Sequence, residues 1–210
     1  MSDLPHSNAF HFPTLLLARH GETESNLKKI FQGRTDNPLN DTGLMQARQI
    51  QRIIAEIPIS AAYISPLQRA RQTTEIALKG RKIQIIPDPR LIEIDFGEWE
   101  GIPEAEVKVK YVDEYQAYRK DMSKFHPSGG ESAVSAWKRS GEWWEEMRGR
   151  YRDDETILVI AHQSINACLG CYVAGIDLSQ AWQNFKSAPG EVIEIITDPV
   201  VEITRLTSTR

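Results

Sequence analysis

Residues 14–21 read Thr-Leu-Leu-Leu-Ala-Arg-His-Gly, a short apolar run that ends on Arg19, His20 and Gly21. Such a run before a glycine is typical of a buried strand that opens into a loop. Residues 156–162 read Thr-Ile-Leu-Val-Ile-Ala-His and repeat the pattern, ending on His162. In open α/β sheets, ligands bind beyond the carboxyl ends of the strands. We therefore expect two strands that each deliver a histidine to the same end of one sheet.

Strand and helix patterns along the rest of the chain predict the fold class. Apolar runs predict strands at 14–18, 62–65, 82–87, 156–161, 191–197 and 201–206. A helix is expected from an Asp41–Thr42 cap through Ile57, another from a Ser65 cap through Ile76, and a third over 163–174. Strands that alternate with helices predict an α/β fold, here a three-layer α/β/α sandwich with a mostly parallel central sheet.

The segment 101–130 differs in composition from its surroundings. It is rich in Lys, Glu, Tyr and Asp and has little apolar periodicity. It contains too few large apolar residues for a core of its own, so we expect a helical lid insertion that folds over the sheet edge. With 210 residues, the chain is predicted to form a single domain over 1–210 with its lid at about 101–130.

Composition and charge exclude several classes of protein. The formal net charge of −4 argues against a nucleic-acid partner, and no apolar run reaches the ~18 residues of a membrane span. The segment 1–13 lacks the basic start and apolar core of a signal peptide, so we expect a frayed arm and a cytoplasmic protein. Cys168 and Cys171 are expected to be buried helical thiols. A homodimer is possible.

The residues expected at the shared strand ends suit a phosphate ester. They are Arg19, His20, Arg69 in the helix after the second strand, Glu93 in the loop after the third, and His162. Arginine binds phosphate oxygens in pairs, and a neutral imidazole can attack phosphorus. A carboxyl of raised pKa can protonate the leaving alcohol. No clustered Asp set or H-E-x-x-H motif occurs, so neither a metal nor a cofactor is expected.

Several motifs also follow one another in a fixed order. They are Leu17-Ala18-Arg19-His20-Gly21-Glu22-Thr23 with Asn26, Phe31-Gln32-Gly33-Arg34, Ser65-Pro66-Leu67-x-Arg69, Leu91-x-Glu93-x-x-Phe96-Gly97, Gly129-Gly130-Glu131-Ser132 and Val159-x-Ala161-His162. With this set the chain resembles the histidine phosphatase superfamily, the phosphoglycerate-mutase-like proteins. The resemblance implies that His20 is the phosphorylated nucleophile and Glu93 the proton donor and acceptor. Glu98 and Glu100 are nearby alternatives to Glu93.

The resemblance also implies which residues bind substrate. Arg19, Arg69 and His162 would bind the phosphoryl group. Asn26 would support it, and Gln32 and Gly33 belong to a substrate-binding loop.

One position departs from the family pattern, which usually has glycine directly after the second histidine. Here Gln163 and Ser164 follow His162. Their amides could bind an anion at a helix start, and we count Gln163 among the substrate-binding residues.

The compact phosphatase branch of the family is the better match. Phosphoglycerate mutases have a lid with a Tyr, Lys and paired-Arg set, whereas in 101–130 the nearest basic pair is Arg119-Lys120. We therefore expect a metal-independent phosphomonoesterase of the histidine acid phosphatase type. It would hydrolyse a small phosphorylated metabolite through a phosphohistidine on His20. The alternatives are a cofactor-dependent phosphoglycerate mutase and a catalytically weak phosphate-ester-binding protein.

Overall fold

One six-stranded sheet forms the centre of the molecule. A computed structural model describes residues 12–197 and 200–207, so the predicted arm lies outside it apart from residues 12 and 13. The strands are β1 (Thr14–Arg19), β2 (Ala61–Ile64), β3 (Gln84–Pro87), β4 (Thr156–Ala161), β5 (Val192–Ile196) and β6 (Glu202–Leu206). Their order is β3-β2-β4-β1-β5-β6. The first four in this order are parallel, and β5 is antiparallel to both neighbours, which confirms a mostly parallel sheet.

Helices connect these strands. They are α1 (Glu24–Leu27), α2 (Asp41–Ile53), α3 (Gln68–Ala77), α4 (Glu104–Lys110), α5 (Val112–Lys120), α6 (Ala133–Arg148), α7 (Gln163–Ala174) and α8 (Ala181–Phe185). The prediction for α7 is confirmed, and as predicted Cys168 and Cys171 are free, buried thiols within it.

Two predicted helix starts are wrong. The cap of α2 is Asn40, whose side chain accepts a hydrogen bond from the Gly43 amide at 2.8 Å. That helix ends at Ile53, four residues before the predicted end. Helix α3 begins at Gln68 and has no side-chain cap at its N-cap residue Leu67. The Ser65 hydroxyl accepts from the Leu67 amide at 3.3 Å and lies 2.7 Å from His162 Nε2.

The two faces of the sheet form separate cores, which confirms the three-layer sandwich. Successive strand residues point to opposite faces. Leu16 and Ala18 of β1 pack in a cluster with residues of α2 and α3. Leu15 and Leu17 pack in the other cluster, with residues of α6 and α7.

The insertion at 101–130 packs on the α6 and α7 side of the molecule. Its turn Met122–Lys124 contacts α6 and the turn Leu178–Gln180, so the insertion packs against this face. Val107 and Tyr118 are buried in the core on this side, which anchors α4 and α5. No helix within the described ranges is long and apolar enough to cross a membrane.

Candidate active site

The ends of β1 and β4 bring the two histidines together. The strands pair in parallel with Arg19 opposite Ala161, and the His20 amide donates to the Ala161 carbonyl at 3.0 Å. His20 follows β1 and His162 follows β4. Their ring centroids lie 5.0 Å apart, and the two ring planes form an angle of 62°. The predicted meeting of His20 and His162 is therefore present in the structure.

His20 is a neutral imidazole with one free nitrogen. Its Nδ1 lies 2.6 Å from the Gly21 carbonyl oxygen. Because a carbonyl only accepts, Nδ1 carries the proton and Nε2 keeps its lone pair. Burial lowers the pKa of His20 well below its ordinary value, and the charges of Arg69 and Arg19 lower it further. The ring lines a cavity of about 240 Å³.

His162 uses both of its ring nitrogens within the protein. The Arg69 Nε donates to Nδ1 at 3.1 Å, so Nε2 carries the proton and donates to the Ser65 hydroxyl at 2.7 Å. Burial and the charge of Arg69 lower the pKa of His162 well below its ordinary value. The residue lies beside the cavity, but it is not among the residues that line it.

Arg69 is held by the loop before α2. It is 1% exposed, and its two terminal nitrogens donate to the carbonyls of Thr35 at 2.7 Å and Gly33 at 2.8 Å. Burial lowers the pKa of Arg69 to about 10, so the guanidinium remains charged at neutral pH. Its edge lines the cavity next to His20.

Arg19 is the second cation at the cavity wall. Its Nη1 donates to the Gln163 side chain at 2.5 Å and to the Ser187 carbonyl at 2.6 Å. Its Nε is buried and has no hydrogen-bond partner among the described residues. Burial lowers the pKa of this guanidinium. The family-atypical Gln163 thus orients Arg19 and lines the same cavity.

Glu93 places its carboxylate at the amino end of α7. One oxygen accepts from the amides of Ile94 at 2.9 Å and Ile165 at 3.0 Å, and the other accepts from Ser164 at 3.2 Å. Burial raises the pKa of Glu93, although these amides oppose the shift. The Ser164 amide, which we had expected to be available for an anion, is therefore already bonded to Glu93.

The two alternative carboxylates have structural partners instead. Glu98 accepts from the Tyr111 hydroxyl at 2.9 Å. Glu100 accepts from the Arg34 amide at 2.8 Å and the Thr35 hydroxyl at 2.9 Å. Only Glu93 of the three lines the cavity.

The predicted substrate-binding residues Asn26, Gln32, Gly33 and Gln163 all line this cavity. Gly33 has φ +51°, and a Cβ there would lie 1.9 Å from the Glu100 Oε1. A side chain at this position would therefore strain the backbone and require the Glu100 side chain to move. Every predicted site residue lines this cavity except His162, which lies beside it.

The sequence and the fold of this chain are similar to those of known proteins. The family model of the histidine phosphatase superfamily (branch 1) matches residues 15–201. The chain belongs to this superfamily. Phosphoserine phosphatase 1 of Hydrogenobacter thermophilus is 32% identical over 168 residues, which cover 80% of this chain and 79% of that protein.

Two further relatives of this chain are informative. A 2,3-bisphosphoglycerate-dependent phosphoglycerate mutase of Cytophaga hutchinsonii is 32% identical over 154 residues, covering 71% of this chain and 72% of that protein. The solved structure of Bacillus stearothermophilus YhfR has a TM-score of 0.82 at 28% identity, covering 92% of this chain and 96% of that one. The fold is thus shared. The phosphatase match covers 80% of this chain and the mutase match 71%, so the comparisons support a phosphatase and fit a mutase only in part.

Sequence reasoning missed several residues that line the cavity. The insertion contributes Glu104, Tyr118 and Arg119, and Lys29 and Lys186 lie on other segments. The three cations are exposed and form no ion pair with a described carboxylate. Only Arg119 had a sequence signal, as part of the basic pair in the insertion. The lysines had none, since charged surface residues are common.

Proposed function

We propose that this protein is a phosphomonoesterase that hydrolyses a small phosphorylated metabolite through a phosphohistidine on His20. One observation carries the proposal: the neutral His20 has a free Nε2 in a cavity whose walls contain Arg19, Arg69 and a buried carboxyl of raised pKa, Glu93. A nucleophile, two phosphate-binding cations and a proton donor are the groups that metal-independent phosphoryl transfer needs. The histidine phosphatase relatives support the same chemistry.

The reaction follows from these groups in two steps. First, His20 Nε2 forms a bond to phosphorus while the ester P–O bond breaks, and Glu93 gives its proton to the departing alcohol oxygen. Then water attacks phosphorus and gives a proton to Glu93, and the N–P bond breaks. Inorganic phosphate leaves, and His20 and Glu93 return to their starting states. Arg19 and Arg69 stabilise the charge on the phosphoryl oxygens in both steps.

We assign His162 a role through Arg69. Its Nδ1 is the acceptor that fixes the guanidinium plane, and its Nε2 is fixed by Ser65. Asn26, Gln32, Gly33 and Gln163 are proposed to contact the substrate, Gln163 also by orienting Arg19.

The insertion at 101–130 is proposed to act as the lid of a single-domain enzyme. Its Tyr118 and Arg119 line the cavity, as do Lys29 and Lys186. Lys29, Arg119 and Lys186 have no ion-pair partner among the described residues. Their charges favour a phosphate ester whose alcohol part carries a second negative group. The net charge of the whole chain is −4, so this positive rim is a local feature of the site.

Hydrolysis is favoured over mutase activity by the single arginine that the insertion presents to the cavity. A mutase must return the phosphoryl group to a second hydroxyl of a bound intermediate, and the paired-Arg set expected for that purpose is missing here. Incubation with 3-phosphoglycerate separates the two activities. A hydrolase releases inorganic phosphate, whereas a mutase produces 2-phosphoglycerate.

We also propose that the enzyme acts in the cytoplasm without a metal ion. Its two cysteines are free thiols, and Arg19 and Arg69 supply the positive charge that a metal would otherwise provide. Activity is therefore expected to survive an excess of EDTA.

The test of the proposed function is turnover of p-nitrophenyl phosphate in EDTA, combined with mass spectrometry of acid-quenched enzyme. We expect release of inorganic phosphate and a mass increase of one phosphoryl group that is missing in His20→Ala. Phosphate binding without any turnover would instead indicate the catalytically weak binding protein.

A further inference from the structure

We infer that Glu131 and Arg139 are positioning residues that hold the Glu93 carboxyl where it can transfer a proton. We call this pair the clasp. The inference rests on the role proposed for Glu93. It gives a physical function to the Gly129-Gly130-Glu131-Ser132 motif, for which the site itself provides none.

The clasp is a partly buried, two-point ion pair. Arg139 Nε donates to one Glu131 oxygen at 2.7 Å, and Arg139 Nη2 donates to the other at 2.8 Å. The side chains are 17% and 12% exposed. Two parallel bonds fix the plane of a guanidinium as well as its position, so Arg139 is a rigid support.

Arg139 also donates hydrogen bonds to the backbone of the loop that contains Glu93. Its Nη1 donates to the Arg90 carbonyl at 2.6 Å, and its Nη2 reaches the Glu93 carbonyl at 3.4 Å. One side chain from α6 therefore contacts the backbone at the start of this loop and at Glu93 itself.

Glu131 attaches the other end of the same loop. Its amide donates to the Asp95 carbonyl at 2.8 Å, and Arg34 Nη2 donates to its side chain at 3.2 Å. The preceding Gly130 is packed so closely that a Cβ there would lie 2.3 Å from the Asp95 carbonyl oxygen. The backbones of the loops at 90–95 and 127–131 are thus in direct contact.

These contacts hold the backbone of Glu93 while α7 holds its carboxyl group. The amides of Ser164 and Ile165 bind the two carboxylate oxygens, and the clasp binds main-chain carbonyls of the loop. Proton transfer needs heavy atoms within hydrogen-bond reach, and a displacement of about 1 Å can reduce a rate about 10²-fold. Loss of the clasp is therefore expected to weaken acid catalysis specifically.

The experiment compares two substrates in Arg139→Met. An alkyl phosphate needs a protonated leaving group, whereas p-nitrophenolate leaves without one. We expect kcat to fall about 10-fold or more on the alkyl ester and to change less than about 2-fold on p-nitrophenyl phosphate. Arg148→Met is the matched control, because Arg148 lies on the same helix and pairs with Glu145 away from the cavity.

A second readout does not depend on activity. Hydrogen exchange of the Ser164 and Ile165 amides reports whether Glu93 still occupies its place, and we expect about 10-fold faster exchange in Arg139→Met than in Arg148→Met. Glu131→Gln keeps the side-chain shape. We expect it to lower kcat on the alkyl ester and to speed exchange of the two amides, as in Arg139→Met. It replaces Arg139→Met if that variant does not fold.

Two results would overturn the clasp: equal loss of activity on both substrates, or unchanged exchange at these two amides. If Glu93→Gln hydrolyses the alkyl ester at the wild-type rate, the proposed acid is wrong. The exchange measurement still decides in that case whether Glu131 and Arg139 hold the Glu93 loop.

Discussion

The ends of β1 and β4 have the same sequence pattern and different chemical surroundings. At the end of β1, His20 faces the cavity and its Nε2 is free because the Gly21 carbonyl binds the other nitrogen. At the end of β4, His162 lies with its ring centroid 5.0 Å away, and both of its nitrogens are bonded. One strand end therefore presents a reactive group, while the other supports its neighbours.

The difference arises from what each strand end meets. The β1 end turns into an open loop beside the cavity, whereas the β4 end runs directly into α7. The first turn of α7 binds the Glu93 carboxylate, and its cap His162 binds Arg69. We thus expect the covalent bond to form at the β1 end, and we expect the β4 end to position the groups that transfer the proton and bind the phosphoryl group.

The largest effect is expected from removing each histidine in turn. His20→Ala should reduce kcat by about 10⁴-fold or more, as for the loss of other nucleophiles, and should abolish the phosphoenzyme. His162→Ala should still form the phosphoenzyme, with kcat/KM lower by about 10- to 100-fold because Arg69 loses an acceptor. Quenched-flow mass spectrometry measures both. A phosphoenzyme that persists in His20→Ala and disappears in His162→Ala would reverse the comparison.

The next effect concerns the carboxyl that the β4 end holds. Glu93→Gln keeps the shape of the side chain and removes its proton chemistry. We expect kcat on an alkyl phosphate to fall about 10²- to 10⁴-fold, with far less change on p-nitrophenyl phosphate. Glu98→Gln is the control, since Glu98 bonds to Tyr111 outside the cavity. A larger loss in the control would move the acid to that residue.

The dependence of activity on pH separates the roles of the two strand ends. Burial raises the pKa of Glu93 above 4.5, so the acid form persists to higher pH and is lost as pH rises through the raised value. Burial lowers the pKa of His20 well below 6.5, so the nucleophile stays neutral as pH falls through 6.5. The ratio of wild-type to Glu93→Gln activity on an alkyl ester should therefore fall with rising pH. A ratio that rises with pH would contradict the assignment of Glu93 as the acid.

Local sequence patterns predicted the frame of this site well. Apolar runs predicted β1, β2, β4 and β5, because a buried strand needs such a run whatever surrounds it. The edge strands β3 and β6 were also predicted, although most of their residues are exposed or half-buried. Parallel pairing then places Arg19, His20 and His162 at one edge. Helix starts were less predictable. Ser65 is a residue type that often caps helices, but its hydroxyl contacts His162, which is 97 positions away.

The remaining features depend on contacts between distant segments. The sequence could not separate Glu93 from Glu98 and Glu100, because all three lie in one loop and only its path decides which carboxyl enters the cavity. The orientation of the His162 ring is set by Arg69, and no local pattern encodes it. The positive rim joins three separate segments, so the sequence contains no single motif for it.

The smallest effect tests whether the β4 end is a support. Ser65→Ala leaves the buried Nε2 proton of His162 without its acceptor, which costs about 1–3 kcal/mol of unfolding free energy. For a chain of this size each kcal/mol corresponds to about 2–4 °C in Tm. Phosphoenzyme formation should persist, because Ser65 does not line the cavity. The control is Ser140→Ala, a buried hydroxyl that donates to the Trp137 carbonyl within α6. An unchanged Tm together with a loss of activity above about 10²-fold would place Ser65, and with it His162, in the chemistry itself.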